Sequence, residues 1–138
     1  MKAIARRVSG YTHEVEVDGH HVITDEPAEV GGNDEGPSPT RLLAASLVSC
    51  TATTVEMYAE RKGWELGSVE AEAEMSPAGR DEPIEISVQV RIPAPLSDEQ
   101  VARITEIASR CPVHRALTGE VEITDHVEAG VAVSGDPP

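Results

Sequence analysis

An α+β fold, with antiparallel hairpins around one long buried helix, follows from three features of the sequence. Apolar and charged residues alternate with a period of two in several short segments, the pattern of half-buried strands. One stretch, Pro39–Lys62, is rich in Ala and Leu and carries no charge from Leu42 to Val55. The segments run in the order βββ, helix, ββ, two helices, β. That is a succession of hairpins rather than the strand–helix alternation of a parallel, doubly wound sheet.

Residues 2–8 open as a first strand. His13, Val15 and Val17 then alternate with Thr12, Glu14 and Glu16. Asp18-Gly19 supplies a two-residue hairpin turn, because both central positions need positive φ. Residues 20–24 return as its partner. Pro27, Gly31, Gly32, Asn33, Asp34 and Gly36 mark residues 25–36 as a loop, read as an exposed turn. Its glycines precede a helix but lack the Gly-Lys-Ser/Thr of a phosphate loop. Ser38-Pro39 starts the long helix, with Ser38 placed to cap the orphan amides and Pro39 at a position that loses no hydrogen bond. Gly63 ends it as a left-handed terminator. A helix apolar on nearly every side is expected to be buried.

Residues 69–75 alternate Val or Ala with Glu, and Ser76-Pro77-Ala78-Gly79 turns the chain. Ile84, Ile86, Val88, Val90 and Ile92 alternate strictly, the clearest strand pattern present. Pro93-Ala94-Pro95 breaks it, and Ser97-Asp98-Glu99-Gln100 forms a capping box. Val101, Ile104 and Ala108 share the face of the helix that follows. Cys111-Pro112 interrupts, a short helix restarts at Pro112 and ends at Gly119, and residues 121–127 alternate as a last strand. The chain reads as one domain over residues 1–128, with 129–138 as a flexible tail.

Composition narrows the function. The 138 residues include no Phe, and the aromatics are Tyr11, Tyr58 and Trp64 alone, so aliphatic side chains must build the core. A chain of this size leaves much of its surface exposed, and association through a shared core is one remedy. Eleven Lys and Arg against 25 Asp and Glu give a net charge of −14. That field repels phosphate backbones and anionic lipid surfaces, so nucleic-acid and membrane partners are not expected. The N-terminus brings charges in early and has no apolar stretch of a signal peptide, so a cytoplasmic location is expected. Two cysteines there point to thiol chemistry rather than a structural staple.

Cys50 sits midway along the long helix. Ser46 and Thr54, four residues to either side, share its face and offer hydroxyls to a thiolate. The same position also suits a small core filler, because unpaired Cys is among the most buried residue types. Cys111, just before Pro112, occupies a helix cap with Arg110, His114 and Arg115 close in sequence, and local chemistry favours it as the better-activated thiol. The two thiols lack the spacing of a CxxC motif or a zinc finger. The five histidines are scattered, and His20 and His21 point to opposite strand faces, so neither a metal site nor a cofactor is expected.

The run Gly36-Pro37-Ser38-Pro39-Thr40-Arg41-Leu42-Leu43-Ala44-Ala45-Ser46-Leu47-Val48-Ser49-Cys50-Thr51-Ala52 resembles the signature helix of the OsmC/Ohr family. Cys111-Pro112-Val113-His114-Arg115-Ala116-Leu117 resembles the family's second cysteine motif. The resemblance spans nearly the whole chain and includes the opening hairpin at Tyr11-Thr12-His13-Glu14-Val15. It implies an OsmC-like fold in an intertwined homodimer, with active sites at the subunit interface, where thiols reduce organic hydroperoxides. It implies that Cys50 attacks the peroxide and Cys111 resolves the product into a disulfide, the reverse of the local ranking. It also implies a catalytic arginine from the N-terminal strands, Arg6 or Arg7, contributed in cis or by the partner subunit, and an external dithiol reductant, of lipoyl type in related proteins. Hydroperoxide-resistance members carry a Glu directly after the helix-start Pro. Here that position is Thr40, followed by Arg41, which brings the sequence closer to the broader OsmC-like branch. The alternative from another class is a non-enzymatic, redox-sensing dimer whose interface pocket holds an apolar ligand.

Overall fold

The computed structural model describes residues 1–76 and 82–133. Strands β1 (Ala3–Ser9), β2 (Thr12–Val17) and β3 (His20–Thr24) form an antiparallel sheet in the order β1-β2-β3. Arg6 lies opposite Glu14 across the first pair, and Val15 opposite Val22 across the second. The hairpin turn forms as expected: Asp18 and Gly19 both take positive φ, 46° and 87°.

The loop after β3 includes a short 3-10 helix at Ala28–Val30 and folds over the carboxylate of Asp25, which is buried. Thr12 Oγ1 donates to Asp25 Oδ2 at 3.0 Å. The amides of Glu26, Asn33 and Glu35 donate to the same carboxylate at 2.8, 3.1 and 3.3 Å. The glycine-rich loop thus gathers its amides around an anion supplied by the chain itself. Two glycines make the wrapping possible. A Cβ at Gly32 would lie 1.7 Å from the carbonyl oxygen of Glu26, and one at Gly36 would lie 2.4 Å from that of Ile23.

Helix α1 covers Pro39–Lys62 and stops at Gly63 in the left-handed conformation, at the expected bounds. Ser38 occupies the N-cap position, but its hydroxyl does not reach a backbone amide. It pairs with the Thr40 hydroxyl at 3.3 Å, and the Ser38 carbonyl accepts from the amide of Leu42. α1 contains an 18-residue window with a mean hydropathy of 1.3, long and apolar enough by length and composition alone to cross a membrane. It packs instead against β4 (Glu70–Met75), β5 (Ile86–Arg91), α2 (Asp98–Ala108) and α3 (Pro112–Thr118), as a core helix does.

Strands β4 and β5 pair antiparallel, Ala71 opposite Val90 and Ala73 opposite Val88. The turn at Ser76-Pro77-Ala78-Gly79 lies largely outside the described residues. Ser76 ties the ribbon at its near end, exchanging bonds with Glu85 at 2.9 Å through its amide and its hydroxyl. On the outward face Arg91 bridges Glu70 and Glu72, each at 2.6 Å. Both halves of the capping box are present at α2: the Gln100 amide donates to Ser97 Oγ, and the Ser97 amide donates to Gln100 Oε1.

The core lies between α1, α2 and the β4–β5 ribbon. Val55, Ala59, Leu66 and Ile104 form its centre, with Trp64, Val69, Ile92, Leu96 and Ala108 around them. Tyr58 and Trp64 meet edge to face with ring centroids 5.7 Å apart, and Arg103 Nε donates to the Tyr58 hydroxyl at 3.0 Å, pinning α2 to α1. The β1–β3 sheet packs mainly on itself and has no comparably extensive contact with the helices.

Two expectations are corrected. The long helix is not buried on every side within one subunit. Leu47, Thr51, Val55, Tyr58 and Ala59 are buried along one stripe, whereas Leu43 and Met57 are exposed. A single layer of helices and one ribbon can cover only one side of a cylinder. The last strand also does not form: residues 121–127 are exposed and pair with no strand among the described residues. Their alternation is that of a strand, but a strand exists only where an edge accepts its hydrogen bonds. Residues 129–133 are irregular and exposed, and the rest of the expected tail lies outside the described residues.

Candidate active site

The two cysteine motifs meet where α3 packs on α1. Cys111 is the N-cap residue of α3 with Pro112 at the first turn, as the sequence predicts, and its side chain is fully buried. Its sulfur accepts the His114 amide at 3.2 Å and the Thr51 hydroxyl at 3.7 Å. Thr51 is itself 2% exposed and directly follows Cys50 in α1. The second cysteine is therefore fastened to the turn of α1 that carries the first. Both are free thiols, and Cys50 is half-buried, the more accessible of the pair.

The hydroxyls expected to serve Cys50 are used elsewhere. Ser46 Oγ donates to the Leu43 carbonyl at 2.8 Å and Thr54 Oγ1 to the Cys50 carbonyl at 2.7 Å. Such back-bonding is the ordinary habit of Ser and Thr in helices. Arg110 pairs with Glu106 rather than with the neighbouring thiol, and Arg115 is exposed.

Arg6 and Arg7 lie in β1, in the sheet that packs apart from α1. Arg6 meets Glu16 at 3.2 Å, so it has a carboxylate partner on the neighbouring strand although Thr40 stands in place of the family Glu. Arg7 Nε donates to the Gly10 carbonyl at 2.8 Å. The structure thus brings Cys50 and Cys111 near each other and leaves both arginines in a separate sheet. Thr51 went unrecognised as a partner for the second thiol. Its signal was its place in the apolar stripe Leu47-Thr51-Val55, where a hydroxyl needs a hydrogen-bond partner once buried.

Beside Thr51 and His114, the two hydrogen-bond donors to Cys111, opens an apolar groove of about 760 Å³. Its floor is the inward face of β5, Ile86, Val88 and Val90, and its rim near Cys111 is Thr51, His114 and Leu117. That volume falls in the range of small-molecule pockets. Among the described residues no group of three His, Cys, Asp or Glu side chains is arranged to hold a metal ion. His21 Nδ1 meets Glu14 at 3.1 Å on the exposed face of the N-terminal sheet.

This geometry agrees with known proteins. The sequence profile of OsmC-like proteins matches residues 31–125, which include both cysteine motifs and the helices α1, α2 and α3. The chain belongs to the OsmC-like family. An uncharacterized protein of Haloferax volcanii is 32% identical over 117 residues, covering 83% of this chain and 84% of that protein. Among OsmC-like folds of known structure, an osmotic-stress-induced and detoxification response protein of Psychrobacter arcticus matches with a TM-score of 0.77. It shares 24% identity, over 84% of this chain and 87% of the other. The organic hydroperoxide resistance protein OsmC of Legionella pneumophila matches at 0.64 with 24% identity, over 86% and 90% of the two chains. The OhrB protein of Bacillus subtilis, also an organic hydroperoxide resistance protein, matches at 0.59 with 22% identity, over 88% and 94%. These likenesses establish the OsmC-like α+β fold.

Proposed function

We propose that the chain is a cytoplasmic, thiol-dependent peroxidase that reduces organic hydroperoxides through Cys50 and Cys111, acting as a homodimer. The observation that carries the reading is the fastening of Cys111 to Thr51, beside Cys50 and at the rim of an apolar groove. It juxtaposes two free thiols from distant parts of the chain. Burial supports the division of labour. Cys111 has no exposed surface, so a peroxide arriving from solvent meets half-buried Cys50 first. This argument outweighs the local one that favoured Cys111 for its place at a helix cap.

In this reading the Cys50 thiolate attacks one peroxide oxygen. An S–O bond forms, the O–O bond breaks, and the alkoxide takes a proton and leaves as an alcohol. Arg6 or Arg7, supplied by either subunit, stabilises the charge on the breaking bond. Cys111 condenses with the Cys50 sulfenic acid, forming the disulfide and releasing water. An external dithiol of the lipoyl class restores both thiols by exchange.

Peroxide turnover by the wild type beside Cys50→Ser and Cys111→Ser, with intact-mass analysis after one equivalent, tests the reading. The wild type is expected to lose two hydrogens. Cys50→Ser should not react, and Cys111→Ser should gain one oxygen and then overoxidise to sulfinate. An oxygen on Cys111 in the Cys50→Ser protein would reverse the roles. A wild type that consumes no hydroperoxide with a dithiol present would favour the second reading, a redox-sensing dimer that holds an apolar ligand. The size and apolar floor of the groove, together with Thr40 in place of Glu, speak for that alternative.

A further inference from the structure

Of the hydroxyl side chains along α1, Ser46 and Thr54 turn back to carbonyls of their own helix. Thr51 does not. Its hydroxyl crosses to α3 and donates to the Cys111 sulfur at 3.7 Å, in a setting where donor and acceptor are both buried. A second donor, the His114 amide, reaches the same sulfur at 3.2 Å from its own helix. One donor belongs to α3 and moves with Cys111. The other belongs to α1, the element that carries Cys50.

We infer that Thr51 is the positioning residue for the resolving thiol, holding the Cys111 sulfur in the one rotamer from which it closes the disulfide with Cys50. A cysteine side chain has three staggered positions available. The His114 amide restricts them relative to α3 alone. Among the described hydrogen bonds to the sulfur, the one from the Thr51 hydroxyl registers it against α1, and disulfide closure depends on that register, because the two Cβ atoms must come within about 3.5–4.5 Å of each other. Holding a nucleophile at its target raises its effective concentration. The inference rests on the two-cysteine reading above, whose Cys111 step it assigns to a third side chain.

The test uses dithionitrobenzoate, so that it does not depend on peroxide. The Cys50 thiolate displaces one thionitrobenzoate and forms a mixed disulfide. The Cys111 thiolate then attacks the Cys50 sulfur and displaces the second, leaving the Cys50–Cys111 disulfide. The two releases report attack and closure as separate phases. Thr51→Val keeps the shape and removes the donor. It should leave the first phase unchanged and slow the second about five-fold, the effect of one ordinary hydrogen bond. Thr51→Ser restores the donor and should restore the second phase, a rescue that loss of packing alone would not give. Far-UV circular dichroism checks folding, and Thr51→Ala makes the same comparison should valine disturb it. A second phase at the wild-type rate in Thr51→Val or its Ala substitute would overturn the inference. So would a serine variant as slow as valine, or a wild type with no second phase. A normal second phase in a wild type that reduces no hydroperoxide would leave Thr51 in its role and remove the peroxidase reading.

Discussion

Asp25 shows how a single residue organises the loop that leads into α1. Burial alone pushes its carboxyl pKa up, but the amides of Glu26 and Glu35, the Thr12 hydroxyl and the Asn33 amide all favour the ionised form, and together they hold it below the ordinary value of 3.8. A carboxylate that titrates lower in the folded than in the unfolded chain stabilises the fold above its unfolded pKa. That contribution fades as pH falls through the folded value. The wild type should therefore melt higher than Asp25→Asn at neutral pH, with the gap closing below about pH 4. Thermal melts of both proteins across that range check it, and a gap that widens in acid would refute it. A second test at this scale concerns the arginines. If Arg6 or Arg7 stabilises the charge that develops when Cys50 attacks, its replacement by Ala should slow peroxide reduction by roughly a hundred-fold or more, the usual loss on removing one such donor. Iodoacetamide alkylation of Cys50 across pH gives a peroxide-free readout of the same cation. Wild-type rates in both single variants and in the double variant would exclude these arginines.

At the scale of elements, local chemistry set most boundaries. The α2 capping box satisfies two orphan donors at once, so Ser97→Ala should cost about 1 kcal/mol. Urea unfolding measures this, and a change within a few tenths of a kcal/mol would mean that the box contributes little. The same local character made these elements legible in the sequence. Asp18-Gly19 favours a tight hairpin turn, Gly63 a left-handed stop, and Pro112 the first turn of a helix. What stayed hidden depends on partners far along the chain. The alternation at residues 121–127 records that one side of that segment is apolar, not that any edge in the subunit will pair with it. The roles of Ser46 and Thr54 were misread because a hydroxyl four residues from a cysteine can reach a carbonyl of its own helix more easily than the sulfur. For the site, both thiols and the N-cap of α3 were readable. The Thr51–Cys111 contact was not, because it depends on how α3 lies across α1, 60 positions away.

For the whole molecule, three apolar surfaces lack a cover among the described residues. They are the side of α1 that carries Leu43 and Met57, the groove floored by β5, and the alternating segment with Val121, Ile123 and Val127. The β1–β3 sheet, with both candidate arginines, packs apart from the helices that hold the cysteines. In the homodimer proposed above, a second copy of the chain would cover α1, offer an edge to residues 121–127 and bring an arginine to Cys50. Such an interface should bury about 1,200–2,000 Å², the usual size of a stable one. With a net charge of −14 on each chain, the copies repel over long range, so added salt should tighten the association by screening. Leu43→Asp should weaken it roughly ten-fold or more, because a charge buried without a partner costs several kcal/mol. Sedimentation equilibrium at micromolar concentration and several ionic strengths measures the association, its salt dependence and the effect of Leu43→Asp. A stable, folded monomer under those conditions would show that one subunit tolerates its exposed apolar faces, and Cys50 would then have to find its cation within its own chain.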